Sequence, residues 1–485
     1  MVATLTASIS ASFNSLTLLA WLASAYFIAN SVLQPLAGKL TDIYGRRAGL
    51  VFCNVLFCAG NLICGLARNE SVIILGRVVA GLGGGGLNAI PLFITNDLVP
   101  LRRRAVWQGC NNVCFGVGAG LSGIYGGWLN DTIGWRAAFL ILVPATLLSC
   151  ILVATLVRLP KTDDKDVQTI NDKRSGVDVL GSLMLVSAII LLLVRLNSGG
   201  NNVPWNHPLV LASLPTSFIL FAAFGFVEVN LATEPVIPVK LLMNRTVLAA
   251  CLTSWFFSMA QLALTFYAPI FFQIQRKSAR EAELLWASDS VGAAVGGVAC
   301  GIIIRASGRY YLLNIIIQVL FLLPLGLATR FDIHTRKVLP IIYFFFVGTS
   351  YAGKLTITVT ALIAAVEQKN QAVITSASYA FRGTGSAIGI AICSLVFQNI
   401  LKRRLWEIFG REIEAASIVD RLRDNMKEIK YLPDHDWMMD AQLAYMDALK
   451  GVFWTVFGLA AIGTIASLFM KEYTLHKTLA RRDPQ

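Results

Sequence analysis

The chain has 485 residues, 56% of them hydrophobic and only 14% charged, with a mean hydropathy of +0.65 and a net charge of +13. A soluble chain of this length carries roughly a quarter charged residues, so the composition excludes a water-soluble globular protein and indicates a polytopic α-helical membrane protein. The positive excess would suggest nucleic acid in a soluble domain. Here it sits in short loops between apolar stretches, where it orients the chain in a bilayer, and no nucleic-acid partner is expected.

In chain order, residues 1–12 (MVATLTASISAS) are too short and polar to span alone and read as the last turns of a truncated first helix. Apolar segments follow at 17–37, 48–67, 71–95, 105–129, 136–157, 177–196, 208–229, 247–272, 285–304, 311–329, 338–365, 373–400 and 449–470. Each can cross a hydrocarbon core about 30 Å thick, and together they make a fourteen-helix plan. The expected division is an N-terminal bundle over 1–157, a polar linker with two extra spans over 158–245, a C-terminal bundle over 246–470 and a tail over 471–485. A long loop at 401–448 interrupts the second bundle; apolar residues at helical spacing in it (Leu405, Ile408, Phe409; Ile413, Ala416, Ile418) suggest a short amphipathic helix.

Basic residues concentrate in alternate loops: Lys39, Arg46 and Arg47; Arg102–Arg104; Arg158 to Arg174; Lys240 and Arg245; Arg305 and Arg309; and the tail from Lys471. Those loops are therefore expected on the cytoplasmic side. The nine cysteines all lie inside apolar stretches without metal-ligand spacing and read as small packing residues. No metal or cofactor is expected.

The first of these basic loops reads GKLTDIYGRR at 38–47, and GIIIRASGRY at 301–310 repeats its glycine spacing in the second half. Such a duplication marks a two-bundle transporter. Gly38 and Gly45 permit close approach and a tight reversal. Asp42 and Arg46 are opposite charges within reach of each other, a latch that the rocking of two bundles would make and break. Arg305 stands where the first copy has Asp42, so the two latches cannot be equivalent.

Arg77, in ILGRVVAGLGGGG, is a charge inside a span, which faces a cavity or a partner and is read as a proton-coupling or substrate-orienting group. The glycine run after it formally matches a nucleotide-binding pattern but follows no strand, so helix crossing through small residues is the better reading. The same physics applies to Gly116/Gly120 and Gly123/Gly127, which are expected to line one packing face, and to Gly292/Gly296 and Gly297/Gly301. Asp289 is the clearest acid at membrane depth, a counter-charge for a cationic substrate, and Glu228 lies near a span end. Lys354 is a buried cation that could stand in for a bound proton or cation. No histidine lies mid-span. Asn30, Gln34, Asn88, Asn111, Asn112 and Gln261 supply neutral polar lining, and Tyr26, Trp255, Phe256, Phe257 and Tyr267 an aromatic wall.

With these residues in view, the chain resembles the major facilitator superfamily in its fourteen-helix drug:proton antiporter branch. GKLTDIYGRR is similar to the signature loop between the family's second and third helices, and LGRVVAGLG to its fourth-helix motif with a membrane arginine. GVGAGLSGIYGG resembles the antiporter motif, with Ser122-Gly123 where the family has glycine-proline. The stretches GRVVAGLGGGGLNAI, DLVPLRRRAVWQGCNNVCFGVGAGLSGIYGGWLND, GWRAAFLILVP and YAFRGTGSAIGIAI are similar to fungal vacuolar basic amino acid transporters.

The resemblance implies an all-α fold of two six-helix bundles with two extra central helices, and a monomer that moves lysine, arginine or histidine into the vacuole in exchange for protons. It also implies a cytoplasmic latch of Gly38, Asp42, Gly45, Arg46, Arg47 and Asp97. Arg77, Asp289, Asn30, Asn88 and Asn112 are the residues expected at the coupling and substrate site. Relatives of this kind carry an aspartate in a complete first helix, before the point where this sequence starts. Two other readings stand beside this one: a multidrug or organic-cation proton antiporter, with the plasma membrane as the alternative address, and a transport-inactive sensor or scaffold. An enzyme is not expected, because no HExxH, GxSxG or P-loop is present.

Overall fold

Long apolar runs can satisfy their backbone groups inside a bilayer only by coiling into helices or closing into barrels, and every regular element among the described residues is helical. The computed structural model describes residues 17–99, 101–157, 179–198, 208–230, 239–275, 279–336, 338–367, 370–410, 415–424, 428–429, 432–433 and 435–473, together with Leu5, Ile9, Ser12 and Phe13. The sequence-predicted linker at 158–176 lies outside them.

The first half comprises α1 (Thr17–Tyr44), α2 (Arg46–Leu66), α3 (Glu70–Leu98), α4 (Leu101–Thr132), α5 (Trp135–Leu140) and α6 (Leu142–Leu156). A turn at Ile141 divides the span read as 136–157 into α5 and α6. Next come the extra pair α7 (Val179–Ser198) and α8 (Pro208–Asn230), then the short α9 (Val239–Leu242). The second half holds α10 (Arg245–Ile274), α11 (Ala279–Ser307), α12 (Tyr311–Ala328), α13 (Val338–Ala365), α14 (Gln371–Phe409), α15 (Ala415–Asp424) and α16 (His435–Leu468). All thirteen apolar segments fall on these helices; among the described residues nine spans meet both the length and the hydropathy of a membrane crossing.

Local chemistry sets the helix ends. Asn69 caps α3 by accepting from the Val72 N–H at 3.1 Å, with Glu70 against the positive end of the helix dipole. Asn244 caps α10 in the same way through Thr246 N–H at 3.0 Å. The α1–α2 turn is possible because Gly45 adopts φ +90°, a region a side chain would strain.

Within the first half, α3 packs between α1 and α2, and the glycine run is the reason. A Cβ at Gly81 or Gly85 would sit 2.5 or 2.6 Å from the carbonyl oxygens of Tyr26 and Asn30 on α1, and one at Gly83 would strike the Phe57 backbone on α2. Leu5 and Ile9 are helical and fully buried against Leu22, Cys64, Ile73 and Phe139, so both pack into this half.

The halves meet along two seams, α4 on α11 and α1 on α14. On the first seam a Cβ at Gly109 would lie 2.6 Å from the Gly297 carbonyl, and one at Gly116 would lie 3.0 Å from that of Ser290. Behind it, Gly292 and Gly296 admit the α13 backbone at Phe345 and Thr349, as their spacing predicts.

The rest of the glycine face expected on α4 is corrected here. Gly120 is only half-buried, and a Cβ there would meet the Ser290 Cβ at 3.6 Å, an ordinary van der Waals contact. Contrary to the sequence expectation, Gly120 is therefore not a close-packing position: α4 has begun to diverge from α11, and an alanine would fit. Gly127, nearly two turns further on, has nothing within 4 Å of a Cβ. The surroundings of Gly123 lie outside the described residues. Close approach on this seam thus rests on Gly109 and Gly116 of α4 and on Gly297 of α11, where a Cβ would lie 2.9 Å from the Asn112 Cβ. At the second seam α7 leans on both halves, through a cluster of Ile28, Val32, Leu185, Ile189 and Ala377.

The 401–448 segment is mostly helical. α14 runs on to Phe409, α15 docks on it, and α16 begins at His435. Leu405, Phe409, Val419, Leu422 and Tyr445 are buried in one core with the ends of α10 and α12, while Ala416 faces outward. The outer surface is apolar: only 11% of the Trp135–Leu156 window is buried, which leaves Leu148, Ile151, Leu152 and Leu156 facing lipid.

Candidate functional site

A cavity of about 280 Å³ lies between the halves, lined by α1, α3, α4, α10, α11, α13 and α14. The first half contributes carboxamides: Asn30 and Gln34 on α1, Asn88 on α3, and Gln108, Asn111 and Asn112 on α4. Gln34 Nε2 donates to Asn30 Oδ1 at 2.7 Å, and Gln108 Nε2 to Asn112 Oδ1 at 3.2 Å, each one helical turn apart. Asn112 Nδ2 crosses the seam to donate to the Ala352 carbonyl and the Thr356 hydroxyl at 3.2 and 3.3 Å.

The second half contributes the charges. Asp289 on α11 is 7% exposed and accepts from Gln261 Nε2 at 3.1 and 3.0 Å; no cation pairs with it among the described residues. Arg382 on α14 lies over the Tyr379 ring, 4.5 Å from its centroid, and its electrostatic partners are the neutral phenols of Tyr351 and Tyr379. Gln108 Oε1 and Gln261 Oε1 are buried acceptors without a protein donor. In a low dielectric such groups favour a ligand that carries donors and charge of its own.

Asp289, Asn30, Asn88 and Asn112 thus line one cavity. Arg77 does not. It is 7% exposed beneath Tyr26, with its guanidinium 4.4 Å from that ring's centroid and Nε donating to the Leu22 carbonyl at 2.9 Å. The aromatic wall also differs. Phe257 and Tyr267 are buried in the second-half core, whereas the rings on the cavity are Phe27, Phe115, Trp286, Tyr351 and Tyr379. Arg382 was not singled out, although a charge in the span 373–400 is the same signal that marked Arg77. Glu228 is buried near the end of α8 and Lys354 among α12 and α16, neither on the cavity.

Toward the end bearing the basic loops the cavity is closed. Leu92 of α3 packs with Val359, Ile363 and Tyr379. Beyond them Arg104, 7% exposed, donates to Gln371 Oε1 at 2.7 Å across the seam and to the Val99 carbonyl at 2.6 Å.

The predicted latch lies beside this closure. Arg46 Nε donates to Asp97 Oδ2 at 3.1 Å, and its NH1 to Thr41 Oγ1 at 2.6 Å and the Gly38 carbonyl at 3.3 Å. Arg47 donates to the Ala154 carbonyl on α6. Asp42 is on α1, and its side chain lies outside the described residues. The second-half counterpart is built differently. Glu472, after α16, accepts from the Tyr310 N–H at 3.0 Å at the start of α12. The Tyr310 hydroxyl donates to the Lys471 carbonyl at 2.7 Å, and burial pushes its pKa up while the Tyr473 N–H opposes the shift.

Two helical bundles around a central polar cavity, closed at one end by an apolar layer with a charged turn beside it, define a membrane transporter fold. The Major Facilitator Superfamily profile matches residues 1–390. The chain is 34% identical to the Multidrug resistance protein fnx1 of Schizosaccharomyces pombe over 99% of its own length and 91% of that protein. It is 30% identical to the Vacuolar membrane amino acid uptake transporter fnx2 of the same yeast, over 93% of this chain and 77% of that one. The Vacuolar basic amino acid transporter 1 of Saccharomyces cerevisiae is 29% identical over 94% and 86%. Among solved structures the fold matches the proton:xylose symporter XylE with a TM-score of 0.55 at 14% identity, over 98% of this chain and 93% of that one. The chain belongs to the Major Facilitator Superfamily and is a multi-pass membrane transporter.

Proposed function

We propose that the chain is a proton-coupled secondary transporter that moves basic amino acids across the vacuolar membrane by alternating access. The observation that carries this reading is Asp289, a carboxylate buried on the cavity wall with Gln261 as its hydrogen-bond donor and no resident cation among the described residues. A carboxylate in low dielectric takes either a proton or an ammonium, which makes it a point of competition between the two cargoes. Exchange of one monovalent cationic amino acid for one proton is electroneutral, so a pH gradient alone drives it, at about 1.4 kcal/mol or tenfold accumulation per pH unit. The closed layer of Leu92, Val359, Ile363 and Tyr379 would open as the bundles rock, with Arg46 and Asp97 as latch. The fnx2 and basic amino acid transporter likenesses support the substrate class and the vacuolar address.

The test is uptake of labelled lysine by acidified vesicles containing the purified chain, with and without a protonophore. Protonophore-sensitive accumulation, abolished in Asp289→Asn, is the expected result. Lysine uptake that is unchanged in Asp289→Asn removes the role given to Asp289. A second reading, a multidrug or organic-cation antiporter, is favoured by the fnx1 likeness and by Phe27, Phe115 and Trp286 on the cavity wall. It predicts that lipophilic cations, and not lysine, collapse the pH gradient.

A further inference from the structure

The cavity has a positive pole as well as a negative one, and the two are not paired with each other. Asp289 hangs from α11 at the α4 seam, where Ser290 meets Gly116. Arg382 projects from α14 at the α1 seam, where the neighbouring Gly383 lies against Ser31 Oγ and Gln34 Oε1. Both line the same space. Were they only a structural ion pair, they would lie within 4 Å of each other; instead Asp289 accepts from Gln261, and Arg382 stacks on Tyr379 with its Nε buried and without an acceptor. The guanidinium also hydrogen-bonds the Tyr351 and Tyr379 side chains, which leaves Nε as its buried unused donor; a planar cation fixed in this way, with a donor to spare, is suited to a carboxylate.

We propose that Arg382 is the carboxylate anchor of the transport site, opposite Asp289 as the ammonium pole, so that the cavity selects zwitterionic α-amino acids over simple amines. A lipophilic cation has nothing to place on Arg382 and leaves a buried charge unmatched, which tells against it. The proposal rests on the amino-acid reading above but reaches further, since it assigns the carboxylate and not the side chain of the cargo. Arg382 acts here as a substrate-binding residue, and the N-terminal half's carboxamides fill the space between the poles.

The experiment measures binding to the purified full-length chain in detergent for two matched pairs: lysine against cadaverine, and leucine against 3-methylbutylamine. In each pair the second member lacks only the carboxylate. In the wild type the amino acid is expected to bind about 10- to 100-fold more tightly than its amine, the range of a hydrogen bond to a charged group. Arg382→Gln is expected to erase that ratio by weakening the amino acids, while cadaverine binds at least as tightly because a repelling cation is gone; retained amine binding also shows that the variant is folded. Arg382→Lys, which keeps the charge but not the fork, should restore part of the ratio. The proposal is overturned if the wild type shows no preference for the carboxylate, or if Arg382→Gln weakens both members of a pair alike. Should leucine but not lysine bind in an Arg382-dependent way, the anchor stands and the basic amino acid assignment falls.

Discussion

Lys354 offers a quantitative test of how this fold tolerates charge. It is 1% exposed on α13, turned away from the cavity that its neighbour Leu355 lines, and no carboxylate pairs with it among the described residues. Its ammonium donates to Asn314 Oδ1 and lies 5.4 Å from the Phe257 ring centroid. Around it Gln318 Nε2 donates to Ser467 Oγ at 2.7 Å, and Thr464 Oγ1 to Gln318 Oε1 at 3.0 Å. A hydrogen bond to a charged group contributes about 1.5–3 kcal/mol, so Asn314→Leu, which strands the ammonium, should cost about that much. Lys354→Met keeps the volume and removes the desolvated charge, so it should be neutral or stabilising.

The two changes should therefore have opposite or very unequal effects, with a coupling of about 1.5–3 kcal/mol in the double mutant. With roughly 2.1 cal/mol/K of unfolding entropy per residue, ~2 kcal/mol moves the melting midpoint of a 485-residue chain by about 2 °C. Cys53, Cys58, Cys64, Cys251, Cys300 and Cys393 are buried free thiols, so a thiol-activated fluorophore at a fixed heating rate reports that midpoint directly. If Lys354→Met lowers the midpoint as much as Asn314→Leu, and the two effects add, the reasoning is refuted.

Two further outcomes follow from the same geometry. Asp97 is 48% exposed, so its pair with Arg46 is worth about 0.5 kcal/mol after solvent screening, whereas Arg46 also holds Thr41 and Gly38 from an 11% exposed site. Arg46→Ala should thus cut the initial rate of vesicle uptake about tenfold and Asp97→Asn only two- to threefold; equal losses would contradict this. Gly296→Ala drives a Cβ onto the Thr349 carbonyl and should destabilise by about 1–3 kcal/mol, while Gly127→Ala meets nothing within 4 Å and should be neutral or stabilising by up to about 1 kcal/mol. The thiol-fluorophore midpoint separates the two, and a matching loss at Gly127 would show that its face is in contact.

The helices themselves were readable because hydropathy is additive over consecutive residues: about 20 apolar residues in a row can only cross or leave the bilayer. The charged turn was readable too, since Gly45, Arg46 and Arg47 sit together in the sequence, and the contact of Arg46 with Asp97 followed from the family likeness. What was missed has a common cause. Glycines four apart mark a face that could pack closely, but the crossing geometry of α4 and α11 decides how far contact runs, and it loosens at Gly120. The 401–448 segment mixes charges with apolar residues, and its helical core forms only because Leu405, Phe409, Val419 and Leu422 find α10, α12 and α16 beside them. Glu472 reaches Tyr310 from the far end of the second half, a pairing that no local pattern announces.

Sequence alone therefore determined the class, the spans, the side on which charge collects, and which residue types at membrane depth demand an explanation. Only the tertiary structure decided which of them share a space: Asp289 and Arg382 on the cavity, Arg77 beneath Tyr26, Lys354 among α12 and α16. The physical reason is that a helix apolar on all sides carries no polar stripe to declare its inner face. Lipid and protein interior are equally greasy, so facing is chosen by close backbone approach at small residues and by where each buried polar group can find a partner.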